Sequence, residues 1–485
     1  MPDRPNILFC LADDAGLHMG ALGCPWVRTP AFDRVAREGV LFTNAYTPNA
    51  KCGPSRACII TGRNSWQLEE AGNHIAYFPR KFTSVWEALK AHGYHAGYTA
   101  KGWSPGDPGT INGQPRELTG GDYSDIRCAP PTREMCDVDY AENFRAFLRD
   151  RPDGAPFIFW YGSKEPHRAY EYGSGVEKGG KRPADIDRVY GIWPDNDVVR
   201  NDLLDYGYAI EYFDRHTQRM LDILDEAGEL ENTLVVVTSD NGLPFPRAKG
   251  QEYEYSNHLP LAIMWPKGIR APGRTVEDFV SFIDFAPTFL EIAGVGEAAS
   301  GMQPIEGRSL TDILFSDRGG RCNPERDHVL IGKERHDVGR PGETGYPIRG
   351  IYKGGWMYLR NFEPERWPSG DPEAGCPNCD AGPTKTECIK ARDNPAMRTY
   401  WEWSFGKRPA EELYHIAEDP DCIENLADSP GHAAMKEELS GQLMRELEAQ
   451  NDPRMFGRGE VFDGYPIARK SLLDFYERFV ARRKA

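Results

Sequence analysis

Two apolar runs that end in acidic residues constrain this chain more than any other feature. Asn6–Ala12 passes straight into Asp13-Asp14, and residues 234–239 pass into Asp240-Asn241-Gly242. Further β-rich runs at 95–99, 157–161 and 261–265 alternate with helical patterns at 31–38, 84–92, 138–148, 202–227 and 285–293. That alternation predicts an α/β fold, a mostly parallel sheet covered by helices. In an open sheet of this kind ligands gather beyond the carboxyl ends of the strands, so the two acidic pairs can converge in one crevice. Three carboxylates and one amide oxygen make an all-oxygen set, which suits Ca²⁺ or Mg²⁺ and not zinc. Either pair alone is weak evidence, since Asp-Asn-Gly is most often a turn.

A chain of 485 residues exceeds one compact core. The texture changes near Gly345, which divides it into residues 1–345 and a smaller α+β domain at 346–485. In the latter, residues 348–351 and Trp356–Asn361 read as an antiparallel pair joined by Gly354-Gly355, and residues 433–450 as a terminal helix. Between them a Gly/Pro/Cys-rich insertion, 368–383, reads as an ordered surface loop or lid. In the helix at 202–227, Tyr206, Ile210, Phe213, Met220, Leu221 and Leu224 form a core stripe.

The net charge of −16 argues against nucleic acid or an anionic membrane as a partner, and any anionic ligand needs a local basic pocket. No apolar run is long enough to span a bilayer. Met1-Pro2-Asp3-Arg4-Pro5 does not open a signal peptide. The expectation is a soluble chain, cytoplasmic, or periplasmic or secreted if a leader has been removed. The eleven cysteines are scattered. Cys376, Cys379 and Cys388 form the one cluster, and they lack a fourth zinc ligand, so a disulfide or free thiols are expected there.

One cysteine stands apart. Cys52 opens Cys52-Gly53-Pro54-Ser55-Arg56, with Thr61-Gly62-Arg63 following. Pro suits the first turn of a helix, and the free N–H groups of that turn with Arg56 would form an anion site around the Cys52 side chain. A free Cys is most often just a small buried hydrophobe, but this spacing resembles that of the type I sulfatases. In that family the Cys is oxidised by a maturase to formylglycine, whose hydrated aldehyde is the nucleophile.

The resemblance covers most of the chain, including Glu412-Leu413-Tyr414, Asp419-Pro420 and Asn425-Leu426-Ala427. It implies an alkaline-phosphatase-like fold with a catalytic domain at 1–345. Asp13, Asp14, Asp240, Asn241 and modified Cys52 would ligate Ca²⁺, with Mg²⁺ as the alternative. Arg56 would stabilise the nucleophile region, Lys101 and Lys249 would clamp the sulfuryl oxygens, and His167 would donate a proton to the leaving group. Residues 239–246, Glu165-Pro166-His167-Arg168, His336, Tyr346-Pro347 and Arg349 are most similar to the heparan N-sulfatase (sulfamidase) subfamily. The implied substrate is a sulfated saccharide, with the N-sulfate of glucosamine favoured. Glu334, Arg335, His336 and Arg349 would form the sugar pocket, and Trp103 a stacking wall.

One departure stands out. The family carries a His two or three residues after the Lys matching Lys101, thought to assist aldehyde regeneration. Here the chain reads Lys101-Gly102-Trp103-Ser104-Pro105. Ser104, a water or a His from elsewhere would have to take over; His18, His74 and His258 can line the pocket, and none is assigned a role. Competing classes are an exo O-sulfatase, a phosphonate monoester or phosphodiester hydrolase, and an unmatured glycan-binding protein. Oligomeric state leaves no trace in the sequence.

Overall fold

Asn6–Ala12 lies deep inside the molecule because both of its faces are apolar. Leu8, Cys10 and Ala12 pack into one core, and Ile7, Phe9 and Leu11 into the other. The computed structural model describes residues 4–484; Met1–Asp3, the start of the N-terminal segment read above, lie outside them. Among the described residues this strand belongs to an eight-stranded sheet. Its order is Arg274–Val276, Val40–Phe42, Leu261–Met264, Thr233–Ser239, Asn6–Ala12, Phe157–Gly162, His95–Ala100 and Gly121–Asp122. The four strands from Thr233–Ser239 to His95–Ala100 are parallel, and Leu261–Met264 runs antiparallel to both of its neighbours. All five strands expected from the sequence are present. The short edge strands carry too little pattern to be read in advance.

Helices cover both faces of the sheet, as the alternation requires. Pro30–Glu38, Tyr140–Asp150 and Asp197–Ala227 pack on one side, and Cys52–Thr61, Val85–Ala91 and Phe285–Ile292 on the other. The long helix begins five residues before the expected Asp202. Asn196 caps it, accepting a 3.0 Å hydrogen bond from the Val199 amide, and this cap outweighs the weak helix propensity of the following Val-Val pair. The helix ends at Gly228, whose φ of 67° suits glycine.

A second sheet pairs His328–Lys333, Ile348–Lys353, Trp356–Asn361 and Glu411–His415, all antiparallel. Its first strand precedes the boundary expected at 345/346, so the small sheet recruits a strand from the first segment. Helix Ala433–Ala449 covers one face, with Leu439, Leu443 and Leu447 meeting Ile351, Tyr358 and Leu413. The other face, including Ile331, Met357 and Leu359, packs with Tyr46, Tyr253 and Phe279 of the larger body.

The insertion differs from expectation. Ser369, Asn378, Cys376, Cys379 and Cys388 are buried, and Pro383–Lys390 is a helix. All three cysteines are free thiols, and none of them falls in a metal-sized cluster among the described residues. No described helix is long and apolar enough to cross a membrane.

Candidate active site

Strand register assembles the site. Ala12 pairs with Ser239, Leu11 with Gly162, and Gly162 with Ala100. Asp13, Asp240 and Lys101, each the residue after its strand, therefore leave the sheet along one edge. Asp14 follows with φ 77°, a left-handed conformation that costs a non-glycine residue on the order of 1–3 kcal/mol and is typical of functional sites. Its amide is held 3.1 Å from Oδ1 of Asp240.

Cys52 reaches this edge from the first turn of the buried helix Cys52–Thr61. Pro54 sits in that turn, where no backbone donor is lost, and the Ser55 amide makes the first helical bond, to Lys51 O at 2.9 Å. The Cys52 thiol donates to Oδ1 of Asp13 at 3.2 Å, and Lys249 Nζ lies 3.6 Å from its sulfur. Burial first, and then the charge of Asp13, push the thiol pKa far up, so the unmodified cysteine is a poor nucleophile.

Asp13, Asp14, Cys52 and Asp240 present ligand atoms within 4.8 Å of one another, all buried. Asn241 joins them, its amide donating to Oδ1 of Asp14 at 2.6 Å. Oδ2 of Asp14 and Oδ1 of Asn241 are buried and accept no hydrogen bond. Such orphaned oxygens are rare in native proteins, and here they face a carboxylate cluster, which fits a hard cation. Lys101 bonds Asp13 and Lys249 bonds Asp14, so both lysines lie on the cluster. Burial would raise the pKa of Asp13, but Lys101, His167, Arg56 and Lys249 hold it well below the usual range. Asp240, burdened by burial and by Asp13, is pushed up to about 6.

Arg56 acts through the carboxylates. Its Nε donates to Oδ2 of Asp240 at 2.8 Å, and its Nη1 to the carbonyls of Lys101 and Gly102 at 2.6 and 3.0 Å. His167 is about a third exposed. Its Nδ1 lies 2.6 Å from the carbonyl of Arg168, which requires the proton there, and its Nε2 lies 3.9 Å from Asp14. Asp13, Lys101, Ser104 and His167 line a cleft of about 650 Å³ whose far wall includes Arg133 and Tyr170. Glu165 and Arg168 shape that wall: Glu165 accepts from Tyr140 and Ser163 at 2.8 Å, and Arg168 grips Asp202 with two 2.8 Å bonds.

The expected sugar-binding residues are elsewhere. Arg349 is fully buried, with Nε 2.7 Å from Asp452 and Nη2 2.7 Å from Glu334, which also binds Arg454. Arg335 is spent on the carbonyls of Tyr465 and Pro466. His336 is sealed between Asn49 and the Gly250 carbonyl, and burial with Lys333 drives its pKa well down. Trp103 packs edge-on against Phe78 in the core. None of these five lines the cleft.

Three residues that sequence reading left without a role stand beside the first turn of the Cys52 helix instead. A Cβ on Gly53 would lie 3.4 Å from Cδ2 of His74. Nδ1 of His74 is 3.0 Å from Asp337, whose other oxygen is 2.6 Å from Lys51 Nζ. The Lys51-Cys52 adjacency was the one visible signal. His18 is enclosed by Trp26, Tyr190 and Tyr206, and His258 is stacked on Tyr46.

Comparison with known proteins agrees with this geometry. Residues 5–295 match the family model described as Sulfatase. Human N-sulphoglucosamine sulphohydrolase is 27% identical over 93% of this chain and 91% of its own length. An ulvan-active sulfatase of Formosa agariphila is 25% identical over 96% of this chain and 78% of its own. A protein solved in complex with its substrate D-glucosamine-2-N,6-O-disulfate shares the fold, with TM-score 0.64 and 21% identity over 93% of this chain and 98% of that one. So does the phosphonate monoester hydrolase of Agrobacterium radiobacter, with TM-score 0.60 and 19% identity over 92% and 96%. With the family model spanning more than half of its length and ending beyond every residue of the acidic cluster, the chain belongs to the sulfatase family, whose members typically use a metal and formylglycine.

Proposed function

We propose that this sulfatase removes sulfate from a sulfated carbohydrate, with the N-sulfate of glucosamine as the favoured bond and Cys52, oxidised by a maturase to formylglycine, as the nucleophile. The observation that carries the reading is the convergence on Sγ of Cys52 of Asp13 and Lys249, at 3.2 and 3.6 Å, beside orphaned oxygens of Asp14 and Asn241. The choice of bond is supported by the near full-length similarity to N-sulphoglucosamine sulphohydrolase.

Asp13, Asp14, Asp240 and Asn241, with modified Cys52, would hold the divalent cation. Ca²⁺ is assigned because carboxylate-rich sites suit it better than Mg²⁺. When bound, the ion supplies Lewis-acid polarisation of the sulfate oxygens. Lys101 and Lys249, which lie on the cluster, would clamp the sulfuryl group as point charges in a buried site. His167, with Nδ1–H committed to a carbonyl, can carry a second proton on Nε2 and deliver it to the leaving nitrogen or oxygen. In place of the His missing after Lys101, we assign His74 as proton acceptor. Asp337 fixes its Nδ1–H, leaving Nε2 as the free lone pair, the orienting logic of a His-carboxylate pair.

Sulfate release by protein co-expressed with a maturase, measured on N-sulfated and O-sulfated monosaccharides, tests the reading. Release from N-sulfoglucosamine is expected; release from O-sulfated sugars alone would end the N-sulfate claim and favour the second reading, an O-sulfatase, which similarity to an N-acetylglucosamine-6-O-sulfatase of Bacteroides thetaiotaomicron supports. Faster turnover of a phosphodiester than of any sulfated sugar would overturn both.

A further inference from the structure

The cysteine-rich insertion brings a carboxylate to the site. Its segment 368–385 is fastened to the larger body at several points. Asn378, 1% exposed, donates to the carbonyl of Gly250 at 3.1 Å, and Ser369 accepts from Gln251 at 2.9 Å. Thr384 donates to Asp202 at 2.6 Å, and Lys385 ties the carbonyls of Cys376 and Cys379 at 3.0 and 2.7 Å. Gly250 has φ 69°, and a Cβ there would meet Asn378 Oδ1 at 2.7 Å, so the two segments are in close contact. The segment thus positions Asp380 firmly.

Asp380 Oδ2 is 3.8 Å from Lys249 Nζ, and its carboxylate lies within 4.8 Å of ligand atoms of Asp14 and His167. That oxygen is buried and has no hydrogen-bond partner. A separation of 3.8 Å is not a hydrogen bond, so Lys249 gives this oxygen a nearby charge but no donor. A second cation between Asp14, His167 and Asp380 would lie against the Lys249 ammonium, 3.8 Å from the same oxygen, and be repelled by it. A buried carboxylate oxygen without a donor is costly, so a donor from the ligand is the natural complement. Sulfate cannot supply it, being an acceptor of the same sign. A sugar hydroxyl can.

We propose that Asp380 is a specificity-determining residue: it accepts a hydrogen bond from the hydroxyl on the sugar carbon next to the one bearing the scissile sulfate. It thereby rejects saccharides carrying a second sulfate at that carbon. The proposal rests on the reading that the ligand is a sulfated saccharide, and it holds for an N- or an O-sulfate.

Calorimetric binding to the calcium-loaded Cys52 form, which does not turn over, tests it. N-sulfoglucosamine is compared with its 3-O-sulfated derivative, and 3-O-sulfoglucosamine with its 4-O-sulfated derivative. The wild type is expected to favour the singly sulfated sugar by about 100-fold, the order of discrimination a pocket achieves against one misfitting group. In Asp380→Asn, and in Asp380→Ser as a second variant, the preference falls below about 5-fold, with wild-type melting temperature. Preferences equal to wild type in both variants overturn the proposal. Binding of the O-sulfated pair alone ends the N-sulfate reading while leaving Asp380 testable on that pair. Binding of neither singly sulfated sugar by the wild type overturns both.

Discussion

Arg349 offers the sharpest contrast between a sugar-binding and a structural role. Its guanidinium donates to Asp452 at 2.7 and 3.2 Å, to Glu334 at 2.7 Å, and to the carbonyls of Ile348 and Lys333 at 2.9 and 3.2 Å, lying over Trp66 at 5.1 Å. Glu334 keeps Arg454 if Arg349 is removed, but Asp452 loses its ion-pair partner in a fully buried position. Breaking a buried pair in that way costs about 3–5 kcal/mol. Arg349→Ala is therefore expected to lower unfolding free energy by about 4 kcal/mol, while the folded fraction keeps its KM within about twofold. Arg349→Met combined with Asp452→Asn should recover much of the loss, because no charge is then stranded. Urea unfolding with parallel kinetics on matured enzyme measures both quantities. A KM raised tenfold or more at unchanged stability would refute the structural reading and restore Arg349 to the sugar pocket.

The metal site predicts that calcium at about 100 times its Kd adds on the order of 2.7 kcal/mol to stability; a melting temperature indifferent to calcium and to chelator would contradict it. His74→Ala should lower kcat by about 10²-fold with little change in KM, and sulfated Cys52 peptide should accumulate in mass spectra; unchanged kcat would remove His74 from the cycle. Near the small sheet, burial tends to lower the pKa of His328, but Glu446 at 2.9 Å and Asp327 at 2.6 Å raise it. A raised His stabilises fully below its unfolded value of about 6.5 and loses that contribution as pH rises through the folded value. Its two carboxylates, held low despite burial, contribute above about pH 4 and fade as pH falls. The stability gap between wild type and His328→Gln should therefore peak at about pH 5–6.5 and shrink above about pH 7; a gap widening with pH would be the opposite sign.

Much of this architecture is legible in the sequence where a local pattern carries it. Asn6–Ala12 is found at its bounds because six consecutive apolar residues after Asn6 end on a charge, and strand ends then deliver Asp13, Asp240 and Lys101 to one edge. The inward turn of the residues expected to bind sugar is not legible. Arg349 looks available on a strand, and only Asp452, over a hundred residues on, turns it inward. Asp380 carries no signal either, since its position depends on contacts of Asn378 with Gly250 and of Thr384 with Asp202. His74 was in view as a possible lining residue, but its partnership with Asp337 spans 263 positions and is visible only in three dimensions.

The seclusion of Cys52 has a consequence for the order of events in biosynthesis. Its side chain is 2% exposed, walled by Asp13 and Asp14 from one strand end and by Lys249 from beyond another. A maturase that oxidised this thiol, as the proposed function requires, would therefore have to work on a nascent or unfolded chain, before residues 233–249 close over it. Folding and maturation would then compete for the same segment. A variant that folds faster should emerge with less formylglycine, and one that folds slowly with more, even when the finished sites are identical.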